Sequence, residues 1–142
     1  MMKPAALDSL LTPDGPMVAC LKARFPNIPG VWAFGSLIRG TPLRDSDLDL
    51  ALLVAAYAPA MLLWDTASVL ADLTGYPVDL PDLRLASTVM QHQVITTGRC
   101  LWAHQPDAGQ FELFASSEKL AFDEARAGLQ ADIQKTGTIY GR

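Results

Sequence analysis

The segment Ser46-Asp47-Leu48-Asp49-Leu50-Ala51-Leu52-Leu53-Val54 constrains the chain more than any other. It opens in strict polar–apolar alternation and then becomes apolar at every position, the pattern of a buried strand with one end polar on one face. The side-chain period of two puts Asp47 and Asp49 on one face of that strand and Leu48 and Leu50 on the other. Two adjacent carboxylates repel. At the mouth of a buried strand the pair is costly unless cations neutralise it, and hard oxygen ligands at this spacing suit Mg²⁺. For a bare Asp-x-Asp a solvated strand end is the simpler account. Here the Leu50–Val54 run anchors the strand in the core, which favours a held site.

The elements around this strand alternate. Asp14-Gly15-Pro16 opens a helix over about Gly15 to Phe25, with Pro in the first turn and Pro26 beyond the end. Val31-Trp32-Ala33-Phe34 reads as a short buried strand running into the tight turn Gly35-Ser36. Leu37 to Gly40 allows one helical turn, and Thr41 to Asp45 is a loop. A helical period from Pro59 to Gly75 has Pro in its first turn and Gly at its far end. A third strand is expected over Pro77–Pro81, at the sheet edge because of Pro81. A helix from Ser87 to Gly98, a strand over Cys100–Ala103, and one or two amphipathic helices between Ala108 and Thr136 complete the series. The last stretch carries Phe122, Ala125, Leu129 and Ile133 at spacings of three and four.

With 142 residues and no internal repeat or Ser/Gly-rich linker, this order predicts one α/β (α+β) domain, a short mixed sheet flanked by helices. Its core spans about residues 15–104, and a C-terminal helical extension and tail occupy about residues 108–142.

Several function classes fall away on composition. Half the residues are hydrophobic, too many for long disorder. The longest apolar stretch, Leu50 to Trp64, is broken by Pro59 and falls short of the ~20 residues a membrane span needs. The N-terminus has no secretory pattern, so the chain is expected in the cytoplasm. Lys and Arg total 11 against 15 Asp and Glu, and no segment concentrates basic residues with aromatics, which argues against direct nucleic-acid binding. Cys20 and Cys100 lack partners at metal-ligand spacing and are expected as small core residues. His92 and His104 are expected to be solvated, and Trp32, Trp64 and Trp102 to be core, with Trp102 also open to a partner or nucleotide contact.

Two further features join the paired aspartates. Gly35-Ser36 after a strand exposes backbone N–H groups and a hydroxyl without side-chain obstruction, as a phosphate requires, although alone it is an ordinary Gly-Ser turn. Asp79, between Val78 and Leu80, points away from both and is placed to complete an acidic cluster. Asp82 is expected as a turn residue beside Pro81.

Gly35-Ser36-Leu37-Ile38-Arg39-Gly40 and Ser46-Asp47-Leu48-Asp49-Leu50, with Val78-Asp79-Leu80 downstream, resemble the signature of the minimal nucleotidyltransferases of the DNA polymerase β superfamily over about half the chain. The resemblance implies the nucleotidyltransferase fold and a divalent-metal site, in which Asp47, Asp49 and Asp79 hold Mg²⁺, two ions in all, and ATP is the co-substrate. It also implies that Asp79 helps to deprotonate the acceptor hydroxyl, while Gly35 and Ser36 meet the β- and γ-phosphates. Arg39 is a candidate phosphate partner through its planar donor fork, with a surface ion pair as the alternative, and Ser46 belongs to the nucleotide-binding motif.

The region Val78–Ser87, the Gly98–Trp102 strand entry and the ending Asp132–Arg142 are similar to the MntA-type antitoxins, which are paired with HEPN-domain ribonuclease toxins. That likeness implies transfer of AMP from ATP to a tyrosine of such a toxin, silencing its RNA cleavage. Pro81 departs from the pattern, where an aliphatic residue is commoner. Two other functions compete: a non-catalytic antitoxin that binds and occludes the toxin, and a nucleotidyltransferase acting on a small molecule. The second commonly needs a further substrate domain, for which only about residues 87–142 remain.

Overall fold

The computed structural model describes residues 7–40, 47–56 and 58–136. Its centre is a four-stranded mixed sheet in the order β3-β2-β1-β4, formed by β1 (Gly30–Phe34), β2 (Leu48–Leu53), β3 (Val78–Asp79) and β4 (Arg99–Ala103). β1 runs antiparallel to both β2 and β4, and β2 runs parallel to β3. The aspartate-bearing strand is therefore internal, as its apolar run demands, with Leu48, Leu50, Ala51, Leu52 and Leu53 all buried.

Alternation along β1 and β2 sorts their side chains into two cores. Val31, Ala33, Leu48, Leu50 and Leu52 pack with α2 (Pro16–Arg24) and α4 (Ala60–Thr74) on one face. Trp32, Ala51 and Leu53 pack on the other with Val94 of α5 (Thr88–Thr97) and Phe111 of α6 (Asp107–Thr136). Asp49 and Phe34 belong by the same alternation to the α5 face. The first core also takes Leu10 and Leu11 from a short N-terminal turn, α1 (Leu7–Leu10), which has no periodic signal in the sequence.

In β4 an irregularity in the pairing with β1, between Val31 and Trp32, lets consecutive residues Leu101 and Trp102 both turn toward the α2 side. Trp102 is half-buried there, its indole Nε1 donating to the Ile28 carbonyl at 3.0 Å and the Lys22 ammonium lying 3.7 Å from its ring centroid. β3 is shorter than the expected Pro77–Pro81, because Pro81 has no N–H to give the ladder. The Pro77 and Pro81 carbonyls still accept from Leu48 N and Leu52 N at 2.8 and 3.0 Å, and an isolated bridge pairs Leu52 with Asp82. β3 lies at the edge, as the proline predicts.

Two core expectations are corrected. Trp64 is 70% exposed, since α4 buries the face of Thr66, Leu70 and Thr74 and the tryptophan stands on the opposite side of the helix. Cys100 is exposed and Cys20 half-buried, so the first is not a core residue. Between Ala108 and Thr136 there is one helix rather than two. Its start buries Ala108, Phe111 and Ala115, and the stripe Phe122, Ala125 and Leu129 beyond them is exposed. The tail from 137 onward lies outside the described residues.

Candidate active site

The strand registers bring most of the candidate residues to one end of the sheet. In the β1–β2 ladder Phe34 pairs with Asp49, so the turn that follows β1 sits beside the first carboxylate of β2. In the parallel β2–β3 ladder Asp49 pairs with Asp79, which places the second carboxylate on the same face one strand over. Asp47 is exposed one residue before β2. Asp49 is half-buried and Asp79 exposed, while Leu80 is buried, so β3 keeps its apolar neighbour inward and its aspartate outward.

Gly35 adopts φ +90° and ψ −167°, a region open essentially to glycine alone, and a Cβ there would overlap Asp49 Oδ2. The close approach of the turn to a carboxylate therefore depends on the missing side chain. Ser36 begins the four-residue helix α3 (Ser36–Arg39), which ends at Gly40 with φ +76°. The Arg39 side chain and Ser46 lie outside the described residues, as does the Thr41–Asp45 loop.

Like charges aligned across a ladder are destabilising by themselves, and a divalent cation relieves that cost. The donor set fits Mg²⁺ in kind, being carboxylate oxygen throughout. Among the described residues, however, no three His, Cys, Asp or Glu side chains converge into a ready metal cage.

Three further side chains have local partners away from the acidic cluster. Asp82 Oδ1 accepts from Arg84 N at 3.0 Å and caps the 3₁₀ turn Leu83–Leu85. Asp65, in the second turn of α4, pairs with Arg24 at 2.8 Å, and that contact holds the guanidinium pKa above its ordinary value. His104 is exposed, with Nδ1 3.8 Å from Asp107. Sequence reasoning missed the α5 residues that stand beside the site: Met90, Gln93 and Thr97 line a cleft with Phe34 and Gly35. Their spacing of three and four puts them on one helix face, a signal the sequence carries without marking it as functional.

A Gly-Ser turn, an Asp-x-Asp at the start of β2 and a third aspartate on the neighbouring strand thus stand together at one end of the sheet. The polymerase beta nucleotidyltransferase family model matches residues 18–107, and the chain belongs to that family. The protein adenylyltransferase MntA of Shewanella oneidensis is similar to it, with 37% identity over 120 residues, 84% of each chain. A crystal structure of a toxin–antitoxin with AMP-PNP contains a chain that superposes with a TM-score of 0.72 at 34% identity, over 83% of this chain and 95% of that one. A chain of the tri-AMPylated Shewanella oneidensis HEPN toxin in complex with MNT antitoxin, in a rebuilt and re-refined structure, superposes at 0.67 with 30% identity, over 83% and 92%. No helix among the described residues is long and apolar enough to cross a membrane.

Proposed function

We propose that this chain is an antitoxin adenylyltransferase that moves AMP from ATP to a tyrosine of a cognate HEPN-domain ribonuclease toxin and so neutralises it. The observation that carries the reading is the Asp49–Asp79 register beside the side-chain-free Gly35, which supplies a paired-carboxylate face next to a turn able to admit phosphate. The similarity to the adenylyltransferase MntA supports the donor and acceptor chemistry.

In the reaction the tyrosine Oη attacks the α-phosphorus of ATP, the new O–P bond forms, the bond to the bridging oxygen breaks, and pyrophosphate leaves. Asp47, Asp49 and Asp79 would hold Mg²⁺, two ions, which when bound offset the charge on the triphosphate and the departing pyrophosphate. Asp79, at the sheet edge, takes the phenol proton and faces the acceptor. Gly35 and Ser36 admit the β- and γ-phosphates, and Arg39 and Ser46 contribute to the same grip. Residues of about 15–104 form the catalytic body of a single domain, with the helical extension following. The chain works in the cytoplasm, beside its ribonuclease partner.

The test is the intact mass of the HEPN-type partner after incubation with this chain, Mg²⁺ and ATP, with Asp49→Asn as control. A gain of whole AMP units with the unmodified chain alone is expected. A stable complex whose mass never changes would replace transfer by occlusion.

A further inference from the structure

On the α5 side of the sheet, at the end remote from the carboxylates, the chain holds a second cleft. It measures about 440 Å³ and is lined by Arg84, Gln91, Asp107, Gln110, Phe111 and Phe114. Its size falls within the roughly 300–1,000 Å³ of small-molecule sites. The Val54 carbonyl, which accepts from Arg84 Nε at 3.1 Å, lies five residues beyond Asp49, roughly 17 Å at the rise of a strand. We infer that this cleft binds the guanine base of a free nucleotide, as a site separate from the catalytic one.

The polar walls are fixed by the fold and keep part of their hydrogen-bonding capacity for the cleft. The Arg84 backbone N–H donates to Asp82 Oδ1 at 3.0 Å and its Nε to Val54, so the guanidinium is held at its stem and its terminal Nη donors remain. Among the described residues no carboxylate lies within ion-pair distance of it, although Asp107 lines the same cleft. Gln91 is only 6% exposed, and its Nε2 donates to the Leu83 carbonyl at 3.0 Å. That bond turns Oε1 the other way. Among the described residues no donor meets this oxygen, and it is not sealed off, so whatever fills the cleft must satisfy it. Asp107 Oδ2 has His104 Nδ1 at 3.8 Å, beyond hydrogen-bond length, and the carboxylate keeps its oxygens as acceptors.

A fork of donors thus shares the cleft with a set of acceptors and an aromatic wall. The Phe111 and Phe114 rings stand 6.2 Å apart, and Phe114 is 53% exposed, which leaves ring face for a planar ligand. Guanine matches all three. Its O6 and N7 are paired acceptors for the arginine fork, the commonest specific contact made to this base. On its neighbouring edge N1–H and one N2–H are parallel donors for the Asp107 carboxylate, and the second N2–H remains for Gln91 Oε1. Adenine fails on both edges, since it sets an amino group against the arginine and offers no donor at position 2. The excess of Asp and Glu over Lys and Arg, 15 against 11, favours a free nucleotide over a guanine within RNA. A bound base ties together the 3₁₀ turn Leu83–Leu85, α5 and the root of α6.

The experiment is calorimetry of the full chain with GMP, AMP, xanthosine monophosphate and phenylalanine, in EDTA so that the metal-dependent site is silent. GMP should bind at least about tenfold more tightly than AMP, and as well to Asp49→Asn as to the unmodified chain. Arg84→Gln should weaken GMP about tenfold. Asp107→Asn should weaken GMP by a similar factor and gain xanthosine monophosphate, because xanthine has an oxygen at position 2, to which an asparagine amide can donate. A gain of this kind cannot come from misfolding. Equal binding of GMP and AMP, loss of GMP binding in Asp49→Asn, an unchanged ligand order in Asp107→Asn, or no binding of GMP would each overturn the inference. Phenylalanine binding in place of GMP would do the same, since a zwitterion can use Arg84 and Asp107 without a base.

Discussion

Gly35→Ala isolates the contact on which the site turns, and Gly40→Ala is its control. Both glycines flank α3 with positive φ, but a Cβ at Gly40 meets nothing within 4 Å, whereas one at Gly35 overlaps the Asp49 carboxylate. Gly40, at φ +76° and ψ 19°, lies in the left-handed helical region, where alanine costs about 1 kcal/mol. Gly35, at φ +90° and ψ −167°, lies where a side chain costs roughly 1–3 kcal/mol before any clash. The overlap adds to this, because the Asp49 carboxylate must rotate away from the place it holds beside the turn. Urea unfolding followed by circular dichroism reads the difference. With a slope of about 1–3 kcal/mol per molar, Gly35→Ala should lower the midpoint by about 1 M, and Gly40→Ala by about half that or less, at unchanged slope. Toxin adenylylation should fall at least about a hundredfold in Gly35→Ala, since a misplacement of about 1 Å is enough for that loss, and should survive in Gly40→Ala. Two variants alike in both midpoint and activity would show that the glycine–carboxylate contact does not shape the site.

Other substitutions probe the scaffold separately. Leu50→Ala empties a fully buried position in β2 and should cost about 2–5 kcal/mol of unfolding free energy by denaturant titration. Ser87→Ala removes the side-chain cap of α5 and should cost about 1 kcal/mol in the same assay, with Ser87→Asp restoring most of it. The Cys100 thiol is pushed above its ordinary pKa by partial burial first and by Glu112 second, against an opposing hydrogen bond with the Trp102 backbone. It should therefore react with iodoacetamide more slowly than free cysteine at pH 8, and Glu112→Gln should speed it. Because the folded state favours the neutral thiol, this group's contribution to stability is complete below the unfolded thiol pKa and is lost as pH rises through the raised one.

The central strand and its carboxylates were legible because a single pattern encodes both burial and facing: alternation followed by an unbroken apolar run. Gly35 was legible as a turn, but its reason was not, since the Asp49 oxygen it accommodates is brought there by pairing between strands. Pro81 foretold an edge strand and also truncated it, a consequence of one missing donor that propensity alone does not resolve into residues. Trp64 illustrates the opposite limit. It lies in an apolar helix, and which arc of that helix faces the sheet depends on Thr66 and Thr74, whose hydroxyls are satisfied locally by the Leu62 carbonyl and by Tyr76. Two threonines inside and a tryptophan outside invert the usual reading of residue type. The α5 cleft escaped for a related reason: Met90, Gln93 and Thr97 look like any helix face until the fold sets them beside Gly35.

α6 has two regimes of stability within one continuous helix. Its 30 residues make it about 45 Å long, and Ala108, Phe111 and Ala115 anchor its first turns in the core. Past Ala115 the helix is exposed and relies on its own hydrogen bonds, without the tertiary packing that supplies most helical stability in proteins. Amide protons near Ala108 and Ala115 therefore exchange with solvent only when the whole domain opens, while those around Leu129 exchange by fraying from the C-terminal end. One helix thus records global unfolding at its root and a local helix–coil equilibrium at its tip.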